Sequence, residues 1–198
     1  MSTKGGRTRE MIIQESAALF NVQGIAATSI ADIVERTGIQ KGGLYRHFES
    51  KAQIAEAAFD YAVEGRISAV EQAITTAASA VAQLMAIARS FLALVETPIL
   101  PGGCPLLNTA IEVDDSPSDL KVKTQLGMEH LRGAVREVVR QGKVQGEFPL
   151  YLNGDGVATL LIALCEGALM LTKLYDDPVH LHRALDHLQA YFETLKQP

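Results

Sequence analysis

Residues 28–51 read Thr28-Ser-Ile-Ala-Asp-Ile-Val-Glu-Arg-Thr-Gly-Ile-Gln-Lys-Gly-Gly-Leu-Tyr-Arg-His-Phe-Glu-Ser-Lys51. Ser29 and Asp32 have the spacing of a capping box, so a helix starts at Ser29, or one residue earlier at Thr28. Ile30, Ile33 and Val34 then fall on one apolar face, and Gly38 is placed to end the helix in a left-handed conformation. A second helix is expected from about Lys41 to Phe48, with Leu44 and Phe48 turned inward together. Gly42, Gly43 and Arg46 point away from that pair, and Tyr45 and His47 sit at the edges. Two short helices around a glycine turn, with a polar outward face on the second, form a helix-turn-helix suited to the DNA major groove.

The contacts divide by reach. Tyr45, Lys51 and either Thr28 or Ser29 are placed for phosphates, which fix register without reading sequence. Lys51 gains from Ser50 and Gln53, another capping pair, because a helix N-terminus attracts anions. Base reading falls to Gln40, Lys41, Arg46 and His47. Gly42 and Gly43 offer no side chain. Either they admit a close approach of backbone to DNA, with DNA shape carrying part of the specificity, or they lie in a loosely formed first turn.

The charge distribution agrees with one DNA-facing end. The chain has 198 residues and a net charge of −5, yet residues 1–51 carry seven Lys/Arg against five Asp/Glu, and the rest carry eleven against eighteen. A basic head on an acidic body approaches DNA from one side only. Two cysteines far apart in sequence suggest neither a disulfide framework nor a metal site, and they fit a reducing cytoplasm. Lys4, Arg7 and Arg9 precede no apolar stretch of the signal-peptide kind. Apolar runs are read as too short for a membrane span. No nucleophile elbow, phosphate loop or zinc spacing points to an enzyme, a cofactor or a metal.

Residues 7–54 resemble the DNA-binding domain of the TetR family of bacterial transcriptional regulators. The resemblance is carried by Arg9, Ile13, Ala17, Leu19-Phe20, Gly24, Thr28-Ser29-Ile30, Asp32-Ile33, Gly38-Ile39, Lys41 to Tyr45, His47-Phe48 and Ser50-Lys51. Gln40 departs from it, since the family usually has a serine there. The resemblance implies an all-α fold of about nine helices: a three-helix DNA-binding domain at 1–50 and a helical effector-binding and dimerisation domain at 51–198. It also implies a homodimer, a double-stranded operator and a small-molecule effector. Repression is the family's usual mode.

Helical periodicity continues through the rest of the chain. The first helix covers about Arg7 to Phe20. Later ones run from Ser50 to about Ala77, Ser79 to Glu96, Leu106 to Val113, Ser116-Pro117 to about Gln145, Asn153 to Leu174, and Asp177-Pro178 to near Lys196. In the last two, Ala158, Ile162, Gly167, Met170, Leu174, Leu181, Leu185, Leu188 and Phe192 are apolar or small. They suit either a four-helix dimer interface or the protein's own core.

The effector end is less specific. Phe91, Leu107, Asn108, Met128, Leu131 and Cys165 can line a mostly apolar pocket, or simply fill the core. Gly102–Asp114 resembles a segment of a TetR subgroup that regulates reductase and efflux genes. Its Cys104 precedes a helix start, which can make a thiol reactive and opens a second reading as an electrophile or oxidant sensor. No Lys or Arg adjoins it, and a small buried residue is the simpler role. A third reading is DNA binding without any ligand. His180 and His182 are two apart and so point to different faces of a helix, and with His187 they read as solvated rather than metal-binding. Asp114-Asp115 reads as a helix end.

Overall fold

In a computed structural model, residues 4–115 and 117–197 are described. They contain nine helices and no strand: α1 (Lys4–Gln23), α2 (Ile30–Thr37), α3 (Lys41–Leu44), α4 (Lys51–Thr75), α5 (Ala80–Glu96), α6 (Pro105–Val113), α7 (Asp119–Val144), α8 (Gly154–Tyr175) and α9 (Val179–Thr194). The helix start expected at Ser116-Pro117 falls partly outside them, because Ser116 is not among the described residues.

Local chemistry sets most of the helix ends. The Ser29 hydroxyl accepts from Asp32 N–H, and the Asp32 carboxylate accepts from Ser29 N–H at 2.6 Å. That reciprocal cap holds the Asp32 carboxyl below its ordinary range, chiefly through the Ser29 backbone bond. Gly38 closes α2 at φ 68°, its N–H donating to the Val34 carbonyl. Asn153 caps α8 by accepting from the N–H groups of Asp155 and Gly156. The Glu147 carboxylate accepts from the first two N–H groups of α5, at 2.7 and 3.0 Å from Ala80 and Val81. Those donors have no partner within their own helix, so this distant carboxylate completes a cap that Ser79 begins.

The chain forms two compact units, Met1–Gly65 with Ile99–Gln125, and Arg66–Pro98 with Leu126–Pro198. They differ from the division expected at residue 50, because the first half of α4 and all of α6 group with the head. In the first unit, Ile12, Ala17 and Phe20 of α1 meet Ile33, Leu44, Phe48 and Ile54 in one core. Burying each large apolar side chain contributes about 1.5–3 kcal/mol. Arg9 covers the Phe48 ring at 4.9 Å and ties α1 to the segment after α3. In the second unit, α5, α8 and α9 pack on one another through residues such as Leu84, Phe91, Leu161, Leu188 and Phe192, all fully buried.

The expectation that no apolar run matches a membrane span is corrected by α8. This helix is long and apolar enough by composition, with a mean hydropathy of 1.8 over its most apolar window. Half of that window is buried inside the protein. The apolarity is that of a core helix whose other side carries exposed Leu160, Met170 and Leu174.

Candidate nucleic-acid interface

The α2–α3 pair rests on the first core through Ile33, Leu44 and Phe48. What remains outside is polar: Gln40, Lys41, Gly42, Tyr45 and Arg46 are exposed, and Gly43 and His47 are half-buried. The regular helix ends at Leu44, four residues short of the expected Phe48, because Gly42 and Gly43 favour extension poorly. Turn bonds carry the chain on, with His47 N–H and Phe48 N–H both donating to the Leu44 carbonyl. Gln40 begins α3 without a side-chain cap. Arg46 reaches only the Gly42 carbonyl, at a long 3.4 Å, so its guanidinium is available outward.

The two glycines have different roles. A Cβ on Gly43 would lie 2.7 Å from Ile39 Cγ2, so that position is small because of internal packing. A Cβ on Gly42 would meet nothing within 4 Å. Only Gly42 can serve close approach of the backbone to DNA. Gly42→Ala is expected to gain a few tenths of a kcal/mol or more in thermal stability while weakening DNA binding. Gly43→Ala should lower the melting temperature. Thermal unfolding and anisotropy of both variants check this, and equal behaviour would contradict it.

Two of the expected phosphate contacts are corrected. Thr28 is fully buried, and its hydroxyl donates to the Gly24 carbonyl at 2.7 Å. Of the two candidate caps, only Ser29 faces outward. The Lys51 ammonium points inward and donates to the carbonyls of Ile25, Ala26 and Thr28 at 2.7, 3.4 and 2.6 Å. Its three protons are spent on the α1–α2 turn, so Lys51 holds the shape of the head. From the other side, the Glu112 carboxylate of α6 accepts from Ile25 and Ala26 N–H at 2.9–3.0 Å. The turn is thus gripped by a cation on its carbonyls and an anion on its N–H groups. Sequence reasoning missed Glu112, since its partners lie 86 and 87 positions away.

The expected pocket residues divide between the units. Cys104, Leu107 and Asn108 belong to the first, and Phe91, Met128, Leu131 and Cys165 to the second. Asn108 is a structural tie: its amide nitrogen donates to Asn21 O, Asn21 Oδ1 and Gly102 O at 2.9–3.0 Å. Cys104 begins α6 and is 1% exposed. The Cys165 thiol is pushed up to about 12, mainly by burial, and stays protonated at neutral pH. Phe91 and Cys165 both neighbour a residue that was not anticipated, the buried Arg66. A signal was present: Phe59, Val63 and Val70 mark a buried stripe along α4, and Arg66 falls on it at helical spacing.

The expected dimer residues separate in the same way. Ala158, Ile162, Leu181, Leu185, Leu188 and Phe192 are buried within the protomer, so the core reading applies to them. Met170 and Leu174 are 54% and 68% exposed, and Gly167 is half-buried. They share the outer face of α8 with Leu160, Ala163 and Leu171. A shallow groove along this face is bordered on α9 by His180, Arg183 and His187. His180 lies beside the Tyr175 ring, and among the described residues no group of three possible ligands converges on a metal position.

Residues 12–58 match the sequence profile of the bacterial regulatory proteins, tetR family, and residues 80–188 that of the tetracyclin repressor-like C-terminal domain. A TetR transcriptional regulator from Chloroflexus aurantiacus J-10-FL is 40% identical in sequence, with 98% of each chain covered and a TM-score of 0.93. The HTH-type transcriptional regulator TtgR of Pseudomonas putida is 25% identical over 183 residues, 88% of this chain and 84% of that one. The nucleoid occlusion factor SlmA of a Marinomonas species is 25% identical over 167 residues, 84% and 83% of the two chains.

Proposed function

As this chain belongs to the TetR family of bacterial transcriptional regulators, we propose that it is a homodimeric repressor that leaves its operator when a small-molecule effector binds. It is a DNA-binding regulator and not an enzyme. The observation that supports the reading of its DNA contacts is the exposed polar strip Gln40, Lys41, Gly42, Tyr45 and Arg46, backed by a packed core and a turn held from both sides. Tyr45 and Ser29 contact phosphates, while Gln40, Lys41 and Arg46 read base edges, with His47 at the edge of the strip.

Release follows from a difference in affinity. α4 contributes residues to both compact units. An effector that prefers a dimer with its heads wrongly spaced lowers operator affinity by the ratio of its affinities for the two arrangements. The burial of Cys104 argues against a thiol sensor, because an oxidant must reach the sulfur. A second reading is DNA binding without an effector. Such work places the protein with the chromosome in the cytoplasm.

Fluorescence anisotropy on a selected operator and on random duplex tests the reading. Arg46→Ala should weaken operator binding about 5- to 150-fold, the equivalent of about 1–3 kcal/mol, and leave random-duplex binding much less changed. Tyr45→Ala should weaken both. Equal losses for Arg46→Ala on the two duplexes would remove it from base reading. A compound library that never shifts operator affinity would leave the reading of DNA binding without an effector.

A further inference from the structure

We infer that Arg66 binds the carboxylate of a small amphipathic acid along the Nε and Nη2 edge of its guanidinium, an assignment that rests on the effector reading above and gives the effector a chemical class. Arg66 lies on the buried stripe of α4 and is 5% exposed. Its Nη1 donates to Ser90 Oγ at 2.8 Å, and Ser90 spends its own proton on the Ile87 carbonyl. The Phe91 ring lies 4.5 Å from the guanidinium carbon. Nε and Nη2 meet no acceptor, although both are buried.

The geometry selects the ligand. Nε–H and one Nη2–H are parallel and side by side, the fork that matches the two oxygens of a carboxylate. A ring against the planar side and a hydroxyl on Nη1 leave that edge as the one that lacks an acceptor. Glu166 is buried on α8, and its charge and that of Arg66 act in opposite senses on the Cys165 thiol. The buried Glu166 carboxylate makes added negative charge costly, so a phosphate dianion is disfavoured more strongly than a monoanion. Phe91 and Cys165 supply apolar neighbours, so the rest of the acid is apolar.

Sodium octanoate and sodium phenylacetate, with octanamide and phenylacetamide as uncharged counterparts, provide the test on the full-length protein. Titration calorimetry and thermal unfolding give binding, and operator anisotropy is followed in parallel. At least one acid should bind and raise the melting temperature, with its amide about 30-fold weaker or more. Arg66→Lys keeps the charge without the fork and should weaken the acid at least about tenfold. Arg66→Met, of similar length and apolar, should stay folded and lose the acid. No acid binding, equal binding of acid and amide, or unchanged acid binding to folded Arg66→Met would each overturn the assignment. An acid that binds through Arg66 without moving operator affinity keeps the site and removes the effector reading. Operator release by an amide with no acid binding keeps the effector reading and removes the site.

Discussion

Replacing Gly102 with alanine should lower the melting temperature by about 6–12 °C, corresponding to a loss of about 3 kcal/mol in a chain of this size. Gly102 has φ +103°, a region that a side chain makes costly. A Cβ there would lie 2.3 Å from the Asn21 carbonyl oxygen and 2.6 Å from its carbon. Those are backbone atoms at the end of α1, so no rotamer change relieves the clash. The same junction carries Asn21 Nδ2 donating to the Pro101 and Gly103 carbonyls, and Asn108 Nδ2 donating to Asn21 and Gly102. Pushing them apart strands buried donors and loosens the α6 end that presents Glu112 to the α1–α2 turn. Operator affinity should therefore fall along with stability. Gly38→Ala is the control: it also has positive φ, but its Cβ would meet nothing, so only about 1–2 kcal/mol of backbone strain is expected. Calorimetric scans of both variants decide. A Gly102→Ala protein that melts like the parent would contradict the junction's role.

The double variant Met170→Glu, Leu174→Glu should run as a folded monomer in size-exclusion chromatography with light scattering, and lose about 100-fold or more in operator affinity. Both side chains are exposed on the outer face of α8, so the change removes little internal packing. Four like charges facing one another across a twofold contact would be repelled and desolvated together. Affinity falls because each head alone makes half the contacts. Leu188→Glu is the contrast. Leu188 is fully buried in the protomer, so that variant should fail to fold properly instead of dissociating. Dimers persisting in the double variant would move the interface elsewhere.

How far the structure could be read from the sequence depended on the range of the interactions. Ser29, Asp32 and Gly38 act within a turn or two, and their caps are as expected. The all-α fold and helix order follow from the periodicity of apolar residues over long windows. The inward turn of Lys51 was invisible because its acceptors are carbonyls 23 to 26 residues away, and nothing local distinguishes them from a phosphate. The Asn21–Asn108 tie and the Glu112 grip are likewise tertiary. For α8, near-continuous apolarity hid which face was the core. Ala158 and Ile162 are inside while Met170 and Leu174 are outside, yet all four read alike in sequence. Arg66 was legible in principle, since a charge on the Val63–Val70 stripe breaks the pattern of its helix.

The central claim is sequence-specific DNA binding by the α2–α3 surface, and selection from a random duplex library tests it most directly. The enriched duplex is then titrated by anisotropy across salt concentrations. The account predicts one palindromic motif whose half-sites lie about 34 Å apart or a multiple of that, bound with a steep loss of affinity as salt rises, and lost in Arg46→Ala. Failure of any motif to enrich, with weak binding that random competitor removes, would contradict it.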